Sequence, residues 1–557
     1  MLVLALPALL SPICGETSFE VTASMAAPAR TRSVDRLVDL LPADAFLVVR
    51  AESIHGLLEG ANQLMGKKAD DPTRLSTQTL LEGLEPDVAQ IAAQIDVHRP
   101  AGLALRFGAG DQPVLWLALP TSDAEALAKG LVLDGLSKQL SVIAAGDYVV
   151  AASEANVQIP LGGCAAIGQL EHTDLAAQLD IAAVLAKFRP LVDMGLDSAE
   201  GALEESSEAE QLAAEEYFDL TRDILDSART LRLALDSQLD TIRATGELTV
   251  AEGSALAKLF GGTRRNLSSA GALLDPRAAF SYVSMSDPRN VGARQLQWTE
   301  AIAGAVPGKL QGLMQLEIDA WRAMLPKTTG LSVTNLDFAL EGLRASSFVE
   351  STDPAGLVGD VQRVLGSPAL AELGLRIEGP AQREVSGVTW TEYRMNMDLE
   401  TIARFVDEDA VISPEDRAQA EKALQIFLGD GGLRVGIATV ERFLVTRVGG
   451  DDTFARSTVS RIGGSAGSFD SGLVHALDQT QQVQAAWLMH LDVGHIMNQF
   501  ADLASSLGQS IDMPVELVGD SFPLTVHAAV DGVRWRGGLE LDARDLARFV
   551  QALEAGH

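Results

Sequence analysis

Short runs of alternating apolar and polar residues recur along the chain. Most end on an acid that is followed by apolar residues at helical spacing. The alternation predicts half-buried strands. In WLALPTSDAEALAKGL the acid is Asp123, with Leu127 four residues on and Leu131 eight on. AAQLDIAAVLAKF places Val184 and Phe188 at the same offsets from Asp180, and LELDARDLARFV places Leu546 and Val550 so after Asp542. Residues at those offsets share one helix face, which can pack on a sheet. A carboxylate at the strand end accepts hydrogen bonds from the first free helical N–H groups, and its charge suits the helix N-terminus. The slot is filled by Ser53, Asp123, Asp180, Glu252, Asp287, Asp353, Asp398, Asp452, Asp492 and Asp542, all predicted as helix caps. Pro288 follows Asp287, where the first helical position tolerates proline.

These caps alternate between two contexts. One follows a lone strand, as in AFLVVRAES, LAAQLD, AAFSYVSMSD, TEYRMNMD and AAWLMHLD. The other follows a strand pair, such as LTVHAAV and VRWRGGLELD around the turn Asp531-Gly532. The predicted order is β-α-β-β-α, five times over, with lone-strand caps spaced by roughly one hundred residues. PLGG, LFGG, VLG and RIGG punctuate the helix ends, where glycine takes a left-handed cap conformation. The expected fold is α+β, with tandem modules, mainly antiparallel sheets and helices on one face. The expected division is a leader over 1–33, then modules over 34–165 (with an extra hairpin), 166–265 (with an acidic helical insert), 266–370, 371–465 and 466–557. Three strands per module leave open edges that can pair with those of another module.

Charge narrows the partners. The chain has 557 residues and a net charge of −33, which repels nucleic acid and anionic membrane surfaces. With 47% hydrophobic residues it can bury real cores. Residues 2–13 form an apolar run of export-signal length, followed by the small-residue patterns TAS and APA. No other apolar run reaches the ~18 residues that a membrane-spanning helix needs. An extracytoplasmic protein, periplasmic or secreted, is expected; a mistranslated extension ahead of Met25 would make it cytoplasmic. Cys14 lies in the leader, so Cys164 is the one thiol expected in the mature chain, with no internal disulfide.

The module region opens with LLPADAFLVVRAES, residues 40–53. This opening, and the general strand-helix rhythm after it, resembles uncharacterised exported bacterial proteins that begin with an LPADA-apolar strand. The resemblance implies export and carries no activity or site residue with it.

Several stretches invite a chemical reading. HLDVGH places His490, Asp492 and His495 at short spacing, as a metal site would want. The same stretch aligns with QLDIAA and NMDLET, where Asp180 and Asp398 are caps and the flanking residues bind no metal. GGSAG offers Ser465 as a nucleophile, but that elbow needs a strand before the serine, and DDTFARSTVSRI reads as a helix. Glycines 108 and 110 fall in a hairpin, and 429, 431 and 432 lead into a strand, so neither group precedes a helix as a phosphate cradle must. Cys164 reads as a linker thiol with only His172 nearby in sequence. The acidic segment 200–226 reads as an amphipathic helix with Leu203, Leu212, Tyr217, Leu220 and Ile224 inward, lacking the loop spacing of a Ca²⁺ site. Trp116, Trp390, Trp487 and Trp535 fall on predicted strands as sheet-face packing.

The expected function is therefore that of a non-enzymatic exported binding or scaffold protein of repeated modules, without catalytic residues or cofactor. The alternatives are a hydrolase or metal-dependent enzyme using His490, Asp492 and His495, or Ser465, and a carrier of apolar ligands held between sheet and helices.

Overall fold

A computed structural model describes residues 37–548, apart from 66–73, 79–92, 109–111, 134–140, 154–162, 171–172, 204–207, 239–240, 306–307, 340–341, most of 402–431, 465–468, 507–520 and the single positions 77, 169, 470 and 481. The leader, Cys14, His172 and Ser465 lie outside the described residues.

The alternating runs do form strands. They are β1 (Leu47–Ala51), β2 (Ala101–Phe107), β3 (Pro113–Pro120), β4 (Ser141–Ala145), β5 (Tyr148–Ala152), β6 (Leu175–Asp180), β7 (Ala228–Gln238), β8 (Thr241–Val250) and β9 (Phe280–Met285). The second half adds β10 (Thr328–Ala339), β11 (Gly342–Ser351), β12 (Leu375–Val385), β13 (Val388–Met397), β14 (Leu433–Val440), β15 (Phe443–Val448), β16 (Ala485–Asp492), β17 (Pro523–Asp531) and β18 (Arg534–Asp542). All join one 18-stranded sheet. The pairings give the order 4-5-3-2-1-6-7-8-18-17-16-9-10-11-15-14-13-12, antiparallel throughout. Strand triplets that are consecutive in sequence, such as β6-β7-β8 and β9-β10-β11, stay neighbours. They join first strand to first strand (β1–β6, β9–β16) or last to last (β8–β18, β11–β15).

The helices used below are α1 (Ile181–Gly201) and α2 (Glu208–Ser227) between β6 and β7, α3 (Ala255–Leu259) after β8, and α4 (Ala293–Ala305) and α5 (Gly308–Met324) between β9 and β10. Next come α6 (Pro354–Leu365) after β11, α7 (Asp452–Ser460) after β15, α8 (Ser471–Gln479) before β16 and α9 (Val493–Ser506) after it. Helices flank both faces of the sheet, which corrects the expected single covered face. On one face Leu473, Ala476 and Leu477 of α8 and Ala455 of α7 pack with Val283, Val333, Phe348 and Leu488. On the other, Ala320 and Met324 of α5 and Leu357 and Val361 of α6 pack with Ala345, Ile437 and Leu444. The reason is visible in β15, where every residue of FLVTRV is buried. A strand apolar on both sides needs a cover on both sides. No helix among the described residues is long and apolar enough to cross a membrane.

A polar row crosses the α8-covered face. Register places Asp236, Arg243, Glu540, Thr525, His490, Ser281, Asn335, Ser346, Arg447, Gly436 and Glu392 opposite one another on successive strands from β7 to β13. Asn335 sits at its centre, 3% exposed, and is fully engaged. Its Oδ1 accepts from Ser281 Oγ (2.9 Å) and Asp275 N (2.9 Å), and its amide donates to Leu273 O (3.0 Å) and Ser346 Oγ (3.3 Å). A slip of one residue would turn such groups onto the opposite face, so the row fixes register. Asn335→Ala is expected to lower stability by about 1–3 kcal/mol in a urea titration, because it strands several buried partners at once. A loss below a few tenths would deny the row that role.

Candidate ligand-binding site

Most of the expected caps make the expected bond. Oγ of Ser53 and a carboxylate oxygen of Asp123, Asp180, Asp287, Asp353, Asp398, Asp492 and Asp542 each accept from a backbone N–H two or three residues on. Two assignments shift. Gly253 at φ 71° turns the chain past Glu252, so Ser254 caps α3 through Ala257 N. The left-handed pair Gly449-Gly450 delivers Asp451 to the start of α7, where it accepts from Thr453 N (2.9 Å) and Phe454 N (3.0 Å). Asp452 instead pairs with Arg383 at 2.7 Å.

HLDVGH does not converge on a common point. Asp492 accepts from His495 N (2.9 Å) and Phe522 N (3.0 Å). His490 Nδ1 lies 3.0 Å from Thr525 Oγ1, in the polar row. His495 Nε2 turns to Asp337 Oδ1 at 3.0 Å, and Gln499 donates to the same oxygen at 2.6 Å. Among the described residues no group of three or more His, Cys, Asp or Glu is set to hold a metal ion. Ahead of GGSAG the chain is the helix α7, not a strand. Cys164 is a core residue, 1% exposed beside Leu37 and Ile167, rather than a linker thiol. Burial pushes its thiol pKa up, which suppresses the thiolate that nucleophilic chemistry needs. In the acidic insert, Phe218 is buried and Tyr217 is 57% exposed, reversing the expected inward position of Tyr217.

The sheet and helices line a partly open pocket of about 410 Å³ between the second face and α4–α6. Its floor comes from strand alternation. Trp487, Ser284, Ser332, Val349 and Leu444 stand opposite one another on β16, β9, β10, β11 and β15, with Tyr282, Thr334, Ser347 and Thr446 in the adjacent row. The serines and threonines are small, so the helices above leave a gap. Glu317, Ala320, Trp321 and Met324 form the roof at helical spacing along α5. Phe260, just after α3, closes one side and meets Trp487 edge-on at 5.3 Å and Trp535 at 4.6 Å. Gly330, at φ 92°, lets β10 approach closely: a Cβ there would lie 1.7 Å from Ser286 O.

The polar groups of this cavity are unusual for their burial. Glu317 is 7% exposed, and burial pushes its carboxyl pKa up against a single opposing bond from the Trp321 side chain. Tyr282 is pushed up to about 12 by burial, despite its bond to Ser284. Trp116 and Trp390 are packing residues as expected, at 0% exposure, whereas Trp487 lines the cavity. Sequence reading passed over the cavity because Ser332, Thr334 and Ser347 look like the solvent side of alternating strands. The signal available was the concentration of hydroxyls on neighbouring strands, followed by the lone acid of GLMQLEIDAW.

No protein-family model, curated protein or solved structure matches this chain.

Proposed function

We propose that this chain is a binding protein that holds one mainly apolar small molecule in the cavity beneath α5. The observation that carries the reading is the pocket itself. About 410 Å³ lined by Phe260, Trp321, Trp487, Val349 and Leu444, with a few hydroxyls, has the size and mixture of a small-ligand site. The reading joins two expectations, a non-enzymatic binding protein and a carrier of apolar ligands. The enzyme alternative loses support because His490 and His495 engage separate partners. We also read the chain as five β-α-β-β-α modules. The neighbouring strand triplets, and the acid caps at the ends of β6, β9, β13 and β16, support that reading. An extracytoplasmic location fits the apolar leader and the LPADA opening.

Decanol titrated into the purified full chain is expected to saturate at one site and to change tryptophan fluorescence, since Trp321 and Trp487 line the cavity. Ser332→Phe fills the floor and is expected to weaken that binding by roughly tenfold or more, one lost ligand-sized contact set being worth at least 1.4 kcal/mol. Absence of saturable binding, or indifference to Ser332→Phe in a folded variant, would remove the carrier reading.

A further inference from the structure

We infer that the ligand of this cavity is a cation: an amine or quaternary ammonium head on an apolar body, with the head seated at Glu317. The inference rests on the carrier reading and names its substrate class. Apart from the phenol of Tyr282, Glu317 is the only lining residue with an ionisable side chain. No lysine or arginine among the described residues pairs with it, although acids elsewhere have such partners, as Asp360 does with Lys327 and Glu392 with Arg447. A buried carboxylate is stable only when paired and hydrogen-bonded. The protein supplies one bond, from Trp321, and leaves the counter-charge to the occupant. Trp321, Trp487 and Phe260 share the cavity, and indole faces attract alkylammonium groups. The floor hydroxyls of Ser284, Ser332 and Thr334 can accept N–H bonds without adding charge. An anionic amphiphile would meet no cation there and would face Glu317 directly. At long range, the net charge of −33 draws cations toward the molecule.

The chemistry has one proton step. In the empty pocket burial raises the pKa of the carboxyl. An alkylammonium that enters supplies the counter-charge and draws that pKa down again, so any proton the carboxyl holds leaves to solvent.

The test compares decylamine, decanol and decanoic acid on the full chain by titration calorimetry. Decylamine is expected to bind at least about tenfold tighter than decanol, the gain of a charge-assisted hydrogen bond, and decanoic acid weakest. Glu317→Gln is expected to erase the preference for the amine over decanol, since the amide keeps the shape and loses only the charge. Should that variant not fold, titration of the wild-type chain in phosphate and in Tris, whose ionisation enthalpies differ, reads the proton released on amine binding. More proton release is expected for decylamine than for decanol. If decanol binds as tightly as decylamine, or if the amine releases no proton and Glu317→Gln keeps the preference, the cationic assignment is overturned while the carrier reading stands. If none of the three binds, the carrier reading itself falls.

Discussion

Arg447→Ala is expected to lower the unfolding free energy by about 3–5 kcal/mol, the cost of removing the nearer cation of a buried ion pair. Arg447 on β15 is 1% exposed and reaches across β14 to pair with Glu392 on β13. It can do so because the intervening residue in the row is Gly436. A Cβ at Gly436 would lie 2.9 Å from Arg447 Nε and 3.1 Å from Trp390 Cε3. The guanidinium lies over the Trp390 ring, 5.2 Å from its centroid, and donates to Gly449 O at 3.1 Å. Removing it opens a void against a tryptophan and leaves Glu392 with Arg383, at 3.9 Å, as its remaining cation. The measurement is denaturant unfolding of Arg447→Ala, Glu392→Gln and the double variant. The double variant is expected to be less destabilised than the sum of the two, because the carboxylate that loses its nearer cation is gone. A loss near 1 kcal/mol for Arg447→Ala, typical of surface pairs, would mean that the pair is not buried in solution.

Acid is expected to destabilise the protein through His527. This residue is 5% exposed, and neither ring nitrogen has a hydrogen-bond partner among the described residues. Burial first, then the charges of His475 and Arg243, lower its pKa from 6.5 to about 4. His475 on α8 faces it with ring centroids 6.4 Å apart, and Arg243 and Glu540 pair with each other at 3.1 Å on neighbouring strands. A base whose folded pKa is depressed binds protons more readily when unfolded. Stability from this group is therefore intact above pH 6.5 and is lost as pH falls toward 4. The shift corresponds to about 3 kcal/mol at pH 4, at roughly 1.36 kcal/mol per unit. His527→Leu removes the titration, so the stability difference between variant and wild type should move by that amount in the variant's favour between pH 7 and pH 4. A difference that stays flat with pH would show that His527 titrates alike in both states. His475 is shifted the same way by burial and steepens the slope in both proteins, which is why the comparison is made as a difference.

Most strand positions and caps were legible along the chain because they depend on local physics, although TEYRMNMD, read as a lone strand, pairs in a hairpin with β12. Alternation sets which side a residue faces, and a carboxylate caps the helix that begins within three residues of it. Asp180 and Asp492 are read correctly for that reason. The two caps that moved, from Glu252 to Ser254 and from Asp452 to Asp451, moved because left-handed glycines reset the helix start by one or two residues. The hairpin at Asp531-Gly532 also shifts by one, with Asp531 paired to Arg534 and Gly532 at φ 63° in the turn.

The candidate site was not legible. Its floor joins residues from β9, β10, β11, β15 and β16, and its roof comes from α5. Their meeting depends on the junctions β9–β16 and β11–β15, which no local pattern specifies. Ser332 and Thr334 read as solvent-facing until a helix is placed over them. Glu317 read as one acid among many in an acidic chain until its burial set it apart.

By itself, then, the sequence determined the alternation of most strands and most of the acid caps, since each arises from interactions within a few residues. Tertiary structure alone decided that the strands merge into one sheet covered on both faces, that Arg447 spans a glycine to meet Glu392, and that a lone carboxyl lines a partly open pocket. Those outcomes depend on which edges pair and what is excluded from water, and both are properties of residues far apart in the chain.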